Sequence, residues 1–302
     1  MSKESEKVFR ELDAFLAQHN PSNEEEMNEL VQQFLDGYIE KAGSGQDGLD
    51  PEDAYDYLDL AENAKTKKDK LMYISRALEL EPGNLDALLM QADVQAKKPD
   101  QFYDYLQPIL REGERQMREG GYYENDTGDF WLLYETRPFM RVLERNFSAL
   151  IDLGRMKQAV HAGENMLKLC TADNLGIRYR LMHLYAYLED TAGAAQLHAR
   201  YEDCDDPHLL LPLIVLYYKL EDLQTAGSFL SRLAGRNKNT RAFFSAAARD
   251  RLYEYYDELE PFGYQLGSIG ELICCLDENI YLYDTVPCFF SWANQYLKQK
   301  KK

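Results

Sequence analysis

An alanine recurs early in three predicted helices of this chain, at Ala159, Ala194 and Ala226, with spacings of 35 and 32 residues. A small side chain there lets two paired helices approach closely, whereas a large one would hold them apart. Self-similarity at such a period indicates an array of repeated units. At 302 residues the chain is also near the practical limit of a single core. The recurrence therefore predicts stacked helical hairpins.

The remaining patterns are also helical, and we find no alternation typical of β-strands after Asp50, so we predict an all-α fold. Apolar residues repeat at helical spacing over 8–16 and 27–39, and Ser22 followed by Glu25 matches a capping box. These patterns predict three segments: an acidic helical hairpin over 1–42, a flexible Gly-rich linker over 43–49, and a helical repeat domain with C-terminal capping helices over 50–302.

The charge of the chain is unevenly distributed. The whole sequence has 34 basic and 52 acidic residues, a net charge of −18, whereas 1–64 alone has 4 basic and 17 acidic residues, a net of −13. The longest basic run is Lys300 to Lys302. Because such a chain repels phosphate backbones and anionic bilayers, we expect neither nucleic acid nor membrane as a partner.

The segment from Arg76 to Leu89 resembles the junction between two tetratricopeptide repeats (TPR), whose period is about 34 residues. Ala77 and Pro82 occupy the small-residue and proline positions of such a repeat, and Leu88 and Ala92 fit the large and small positions of the next helix. The resemblance implies a right-handed α-solenoid of TPR-like hairpins.

Three further segments, 128–141, 173–179 and 267–293, resemble the TPR-like family related to the suppression-of-tumorigenicity-seven protein. The first contains Trp131 and the run Glu-Thr-Arg-Pro-Phe-Met-Arg, where Phe139 replaces a family tyrosine; in the second, Leu175 replaces a family glutamine. The resemblance extends from Ala54 to Leu297. It implies a helical-repeat scaffold, without the membrane segments of the eukaryotic members.

Basic and aromatic residues occur in three predicted first helices, which line the concave groove of a TPR array. Arg137, Arg141 and Arg145 recur every four residues, so they share one helical face. The candidate groove consists of Arg137, Arg141, Arg145, Arg178, Tyr179, Arg180, Tyr185 and Tyr218. Guanidinium groups and tyrosine rings in such a groove favour a protein or peptide ligand of acidic character.

Two other interpretations use the same residues. The arginines could brace adjacent repeats through carboxylates such as Glu135, Glu144 and Asp173. The acidic hairpin could also fold onto the basic groove of its own chain or of a second copy, giving self-association, whereas a merely solubilising arm would do neither.

Signals for catalysis or cofactors are weak, so we predict no cofactor, no metal and no catalytic residue. None of the five histidines has a standard metal-ligand spacing, and His198, Cys204 and His208 fit no known site. Ser268 fits a helix cap better than a nucleophile, and the aromatic runs at 253–256 and 289–292 fit packing between helices. Five cysteines without Cys-x-x-Cys spacing suit a reducing cytoplasm.

The sequence therefore predicts a non-enzymatic, cytoplasmic scaffold or adaptor that binds a protein or peptide in the groove. Two alternatives stay open: a peptide-responsive regulator whose N-terminal helices are repositioned by the ligand, and an enzyme with an unrecognised site in the groove.

Overall fold

The computed structural model describes residues 3–43, 51, 53–201, 205–259 and 263–300. Its regular structure over this part of the chain is helical, with no strand, so the predicted all-α fold class is confirmed. No helix in the described ranges is long and apolar enough to cross a bilayer. The chain divides into two compact units, Met1–Ala149 (unit 1) and Leu150–Lys302 (unit 2).

Unit 1 is built from consecutive helices, of which α3 to α6 each pack on the next in sequence, and α1 packs on α2. Its helices, the last of which continues into unit 2, are α1 (Lys3–His19), α2 (Glu24–Gly43), α3 (Ala54–Asn63), α4 (Lys67–Leu80), α5 (Leu85–Gln95), α6 (Pro99–Glu119), α7 (Tyr122–Asn125) and α8 (Arg137–Asp152).

Unit 2 follows the same pattern, and α9 to α14 each contact the next helix. Its helices are α9 (Met156–Leu169), α10 (Ile177–Leu188), α11 (Thr191–Arg200), α12 (Pro207–Lys219), α13 (Leu223–Arg236), α14 (Thr240–Ala247), a 3-10 helix (Leu252–Glu258), α15 (Ile269–Asp277), α16 (Ile280–Tyr283) and α17 (Phe289–Gln299). The last of these, α17, packs on α13 and α14.

Polar side chains at helix N-termini explain where several helices begin. Asp53 caps α3 and forms a capping box with Asp56, and Ser268 caps α15 by accepting a hydrogen bond from the Glu271 amide, as predicted. The capping box predicted for α2 is displaced by one residue. Asn23 accepts from the Glu26 amide, while the Glu26 carboxylate accepts from the Ser22 amide and hydroxyl.

Four of the alanines singled out in the sequence are almost fully buried, with Ala77, Ala159 and Ala226 at 0% exposure and Ala194 at 1%. They lie in α4, α9, α13 and α11 respectively. Their burial leaves room for close approach of neighbouring helices, while the TPR-like solenoid stays a prediction.

The predicted boundaries of the hairpin and the repeat domain stay predictions, since α1 and α2 belong to the same compact unit as α3 to α7. Gly43 ends α2. The rest of the predicted 43–49 linker lies outside the described residues.

Candidate functional site

The Arg141 side chain, on α8 in unit 1, joins carboxylates from two other helices. Its Nε and Nη2 donate to Asp86 Oδ1 and Oδ2 of α5 at 2.8 and 2.6 Å. Its Nη1 and Nη2 donate to Glu6 Oε1 and Oε2 of α1 at 2.8 and 3.0 Å. We call Arg137, Arg141 and Asp86 the arginine site, which the Glu6 carboxylate occupies.

Arg137 lies one turn earlier on α8 and is almost completely buried, with 2% of its side chain exposed. Its Nε donates to the Trp131 carbonyl at 2.8 Å and its Nη2 to the Leu132 carbonyl at 3.2 Å. Its Nη1 lies 3.7 Å from Glu6 Oε1. Arg137 thus holds the turn at Trp131 and Leu132 and adds a second positive charge beside the Glu6 carboxylate.

With Glu6 bound, the charges at the arginine site balance: the two guanidinium groups of Arg137 and Arg141 face the two carboxylates of Glu6 and Asp86. Glu6 is only 2% exposed and Asp86 6%. Burial disfavours the charge of Arg141, but hydrogen bonds and attraction from Asp86 and Glu6 outweigh it and raise its pKa above the ordinary value. Buried carboxylates of this kind are stable only while their cationic partners are in place.

Helix α1 contacts other parts of unit 1 through a mostly polar face. Lys7 pairs with Asp56, the Arg10 guanidinium lies 3.0 Å from the centroid of the Tyr55 ring, and Asp13 accepts a hydrogen bond from Tyr134. Phe9 stacks on Tyr134 with centroids 6.3 Å apart, yet 41% of Phe9 stays exposed. Among the described α1 side chains, Glu6 alone is buried. We call Glu6, Lys7, Phe9, Arg10 and Asp13 the α1 docking face.

Arg145, the third arginine of the predicted face, pairs with Asp93 of α5, and its guanidinium lies 4.8 Å from the Phe102 ring centroid. Burial raises the pKa of Asp93, while Arg145 and Lys70 oppose the shift. The pair is partly exposed, at 40% for each side chain. All three arginines of α8 therefore contact acceptors of their own unit.

The other predicted groove residues lie in unit 2. Arg178 donates from Nη1 to Asp173 Oδ2 at 2.9 Å and from Nη2 to the Tyr179 hydroxyl at 2.6 Å, and that hydroxyl donates to Asp206 Oδ2 at 2.7 Å. Asp173, itself buried and at a φ of 52°, also accepts from the amides of Ile177 and Arg178. This network holds the first turn of α10.

Arg180, Tyr185 and Tyr218 are the remaining predicted groove residues. Arg180 is half-buried, and its positive charge opposes the burial that raises the pKa of Tyr281. Tyr185 is 4% exposed and donates to Glu164 Oε1 at 2.8 Å, and the Tyr218 ring packs on Phe289 and Trp292 of α17.

A histidine, a cysteine and a tyrosine meet in the interior of unit 2. His183 Nε2 lies 3.0 Å from the Tyr283 hydroxyl and 3.6 Å from Cys275 Sγ, and its Nδ1 is 2.8 Å from the Tyr179 carbonyl oxygen. Burial lowers the pKa of His183 to about 3 and raises the pKa of Cys275 well above its ordinary value. Both groups are therefore neutral at pH 7, and a neutral thiol is a poor nucleophile.

His208 lies near this interior, between the Tyr264 and Tyr179 rings at 5.4 and 5.2 Å. Burial lowers its pKa, and both of its ring nitrogens are buried without a hydrogen-bond partner in the described structure. Within the same ranges, no group of three His, Cys, Asp or Glu side chains is arranged to hold a metal ion.

The sequence pattern identified the arginines and one of their acidic partners, since Arg178 contacts Asp173 as expected. It did not identify the acids that meet Arg141 and Arg145, which are Glu6, Asp86 and Asp93. A signal existed for two others: Asp86 and Asp93 are seven residues apart and share a face of α5. For Glu6, 135 residues from Arg141 in sequence, no such local signal exists. Comparison of the sequence with models of protein families and with curated proteins finds no match.

Proposed function

We propose that this chain is a TPR-like protein-binding scaffold whose arginine site recognises a carboxylate on a helical segment, and that its own α1 is an exchangeable occupant of that site. The observation that carries the proposal is the seating of the Glu6 carboxylate between Arg141 and Arg137. A partner helix with a glutamate or aspartate at the equivalent position would replace Glu6.

The composition of the α1 docking face supports exchange. Apart from the buried Glu6, its contacts are the partly exposed Lys7–Asp56 pair, an arginine over a tyrosine ring, the hydrogen bond from Tyr134 to Asp13 and one half-exposed phenylalanine. Contacts of this polar kind resemble those of transient interfaces. A helix held mainly by one buried carboxylate can dissociate when a competitor supplies that carboxylate.

The electrostatics support an acidic partner rather than a basic one. If α1 leaves, Asp86 neutralises one of the two guanidinium groups and the other lacks a carboxylate within the site. Bidentate binding of a new carboxylate restores the balance, because the guanidinium fork matches carboxylate geometry. The protein would then act both as a scaffold, because it binds a partner, and as a ligand-responsive regulator, because the partner must displace the N-terminal helix α1.

Two further features support the scaffold and its setting. The four signature alanines are buried, as close packing of paired helices in a repeat array requires. Cys170, Cys274, Cys275 and Cys288 are free thiols, which favours a reducing compartment such as the cytoplasm. The buried state of His183 and Cys275 gives no support to a catalytic role, and we propose none.

The test uses a fluorescent synthetic peptide with the sequence of residues 3–19 and three full-length chains: wild type, Glu6→Gln and the control Glu29→Gln. Glu29 lies on α2 and is exposed. The tethered α1 competes with the peptide for the arginine site. The apparent affinity of the peptide therefore equals its intrinsic affinity multiplied by the fraction of chains whose site is open. We expect at least tenfold tighter binding to Glu6→Gln than to wild type, and wild-type affinity for Glu29→Gln.

A second peptide, identical except for glutamine at the position of Glu6, checks the role of the carboxylate. We expect it to bind none of the three chains. Equal affinity of both peptides, or equal affinity of the first peptide for wild type and Glu6→Gln, would overturn the proposal.

A further inference from the structure

Unit 2 carries an open cleft of about 380 Å³ between the 3-10 helix, α15 and α16. Its floor is apolar, formed by Leu276, Tyr283 and Phe290. Its other lining residues include Tyr253, Tyr256, Ile280, Asp250, Asp277 and Asp284, and we call the whole concavity the tyrosine–aspartate cleft. The volume lies near the lower end of the range of ligand pockets, about 300–1,000 Å³.

The apolar walls of this cleft are unusually exposed. Tyr253 is 67% exposed, Tyr256 43% and Ile280 47%. The sequence predicted that the tyrosines at 253–256 pack between helices, and for Tyr253 and Tyr256 this prediction is wrong, because the 3-10 helix presents them at the surface. Large exposed rings grouped around a concavity are typical of binding surfaces.

The charged residues that line the cleft are all acidic. Three aspartates lie among its lining residues, which include no lysine or arginine. Asp277 accepts from the Tyr256 hydroxyl through both carboxylate oxygens, at 2.8 and 2.7 Å. Asp250 and Asp284 have no ion-pair partner among the described residues. All three carboxylates are exposed to solvent.

The nearest arginines in sequence are engaged outside the cleft. Arg249 donates to the carbonyl and hydroxyl oxygens of Ser245 at 2.8 and 3.0 Å. Arg251 donates from Nε to Glu254 Oε1 at 2.6 Å. The negative charge of the cleft is therefore not cancelled by its own segment and remains available to a ligand.

We infer that the tyrosine–aspartate cleft docks a segment of a partner protein in which lysine or arginine stands beside an aliphatic residue. The aliphatic side chain packs on Leu276, Tyr283 and Ile280. The cation lies over the Tyr253 or Tyr256 ring and faces the aspartates. Its attraction to the ring and its attraction to the carboxylates both favour binding. This site is independent of the arginine site, which selects the opposite charge.

The test measures binding of fluorescein-labelled hexapeptides to the full-length chain by anisotropy. The three probes alternate arginine with leucine, glutamate with leucine, and arginine with glycine. We expect the arginine–leucine probe to bind at least tenfold more tightly than either of the others. We also expect its affinity to fall at least tenfold between 50 and 500 mM NaCl, since exposed charges are screened by salt.

Matched variants separate the cleft from the general acidity of a chain with a net charge of −18. Asp277→Asn/Asp284→Asn and the control Asp104→Asn/Glu114→Gln each remove two exposed carboxylates. Tyr253→Ala is matched by Tyr105→Ala, which removes a 42% exposed tyrosine from unit 1. We expect at least tenfold weaker binding for each cleft variant and less than twofold change for each control.

Three results would overturn the inference. Equal losses of affinity in the cleft and control variants would indicate non-specific attraction to an acidic protein. The other two results are no binding of the arginine–leucine probe at 1 mM and equal binding of the glutamate–leucine probe. Circular dichroism checks that each variant is folded. The comparison of the three probes on the wild-type chain keeps the inference testable if a variant does not fold.

Discussion

The Glu6 carboxylate binds both terminal nitrogens of Arg141, with Oε1 2.8 Å from Nη1 and Oε2 3.0 Å from Nη2. Arg141 holds Asp86 at the same time, so one side chain joins α1, α5 and α8 within unit 1. Removing it takes the bidentate partner from two nearly buried carboxylates, and Glu6 then keeps Arg137 at 3.7 Å.

Replacing Arg141 with alanine is therefore expected to lower the free energy of unfolding by about 3 kcal/mol, the scale of a broken buried pair. Arg145→Ala is the control, because its pair with Asp93 is partly exposed and screened by solvent, with an expected loss under about 1 kcal/mol. Urea denaturation measures both. Equal losses would show that the arginine site contributes no more than a surface ion pair.

Two glycines in helices of unit 2 are expected to respond to alanine with opposite signs. A Cβ at Gly193 would lie 2.5 Å from Tyr185 Cε1, and Tyr185 is buried, so Gly193→Ala should destabilise the protein by about 1–3 kcal/mol. At Gly235 nothing lies within 4 Å, so Gly235→Ala should stabilise by up to about 1 kcal/mol through helix propensity. Thermal or urea unfolding distinguishes the two, and a stabilising Gly193→Ala would contradict the packing of α10 on α11.

Because His183 is buried, we expect the free energy of unfolding to fall as the pH is lowered. Burial holds its folded pKa at about 3, below the unfolded value of about 6.5, so the unfolded chain binds the proton more readily. The contribution of this histidine to stability is full above pH 6.5 and is lost as the pH falls from there toward 3, by at most about 1.4 kcal/mol per pH unit.

Unfolding free energies measured from pH 7.5 to 5, above the range where most carboxylates titrate, test this effect. His183→Gln should flatten the slope, and His161→Gln, at an exposed position, should keep it. An unchanged slope in His183→Gln would mean that the proton is taken up elsewhere.

Thiol reactivity should rank by burial. Cys275 is fully buried with its pKa raised, whereas Cys288 is exposed. Iodoacetamide labelling followed by mass spectrometry is expected to modify Cys288 in the native protein and Cys275 only after unfolding. Native labelling of both at one rate would show that the interior of unit 2 opens readily.

Local features were predictable from the sequence because they depend on neighbouring residues. Ser268 caps α15 as expected, and the recurring alanines are buried. The cap of α2 was displaced by one residue because Asn23, like Ser22, can accept from an amide three residues ahead, and periodicity does not choose between adjacent caps.

Pairings between distant residues were not predictable in this way. The sequence pattern placed Arg137, Arg141 and Arg145 on one helical face, but it did not identify the carboxylates that meet them. Likewise, a tyrosine at 253 or 256 fits packing or exposure equally well until the path of the 3-10 helix is known.

The sequence by itself determined that the chain is helical and where small residues allow helices to approach, because helix periodicity and capping act over a few residues. Only the tertiary structure decided that Glu6 enters the arginine site and that Tyr253 faces solvent beside three aspartates. The reason is physical: the charge and burial of a side chain depend on which distant helices pack around it.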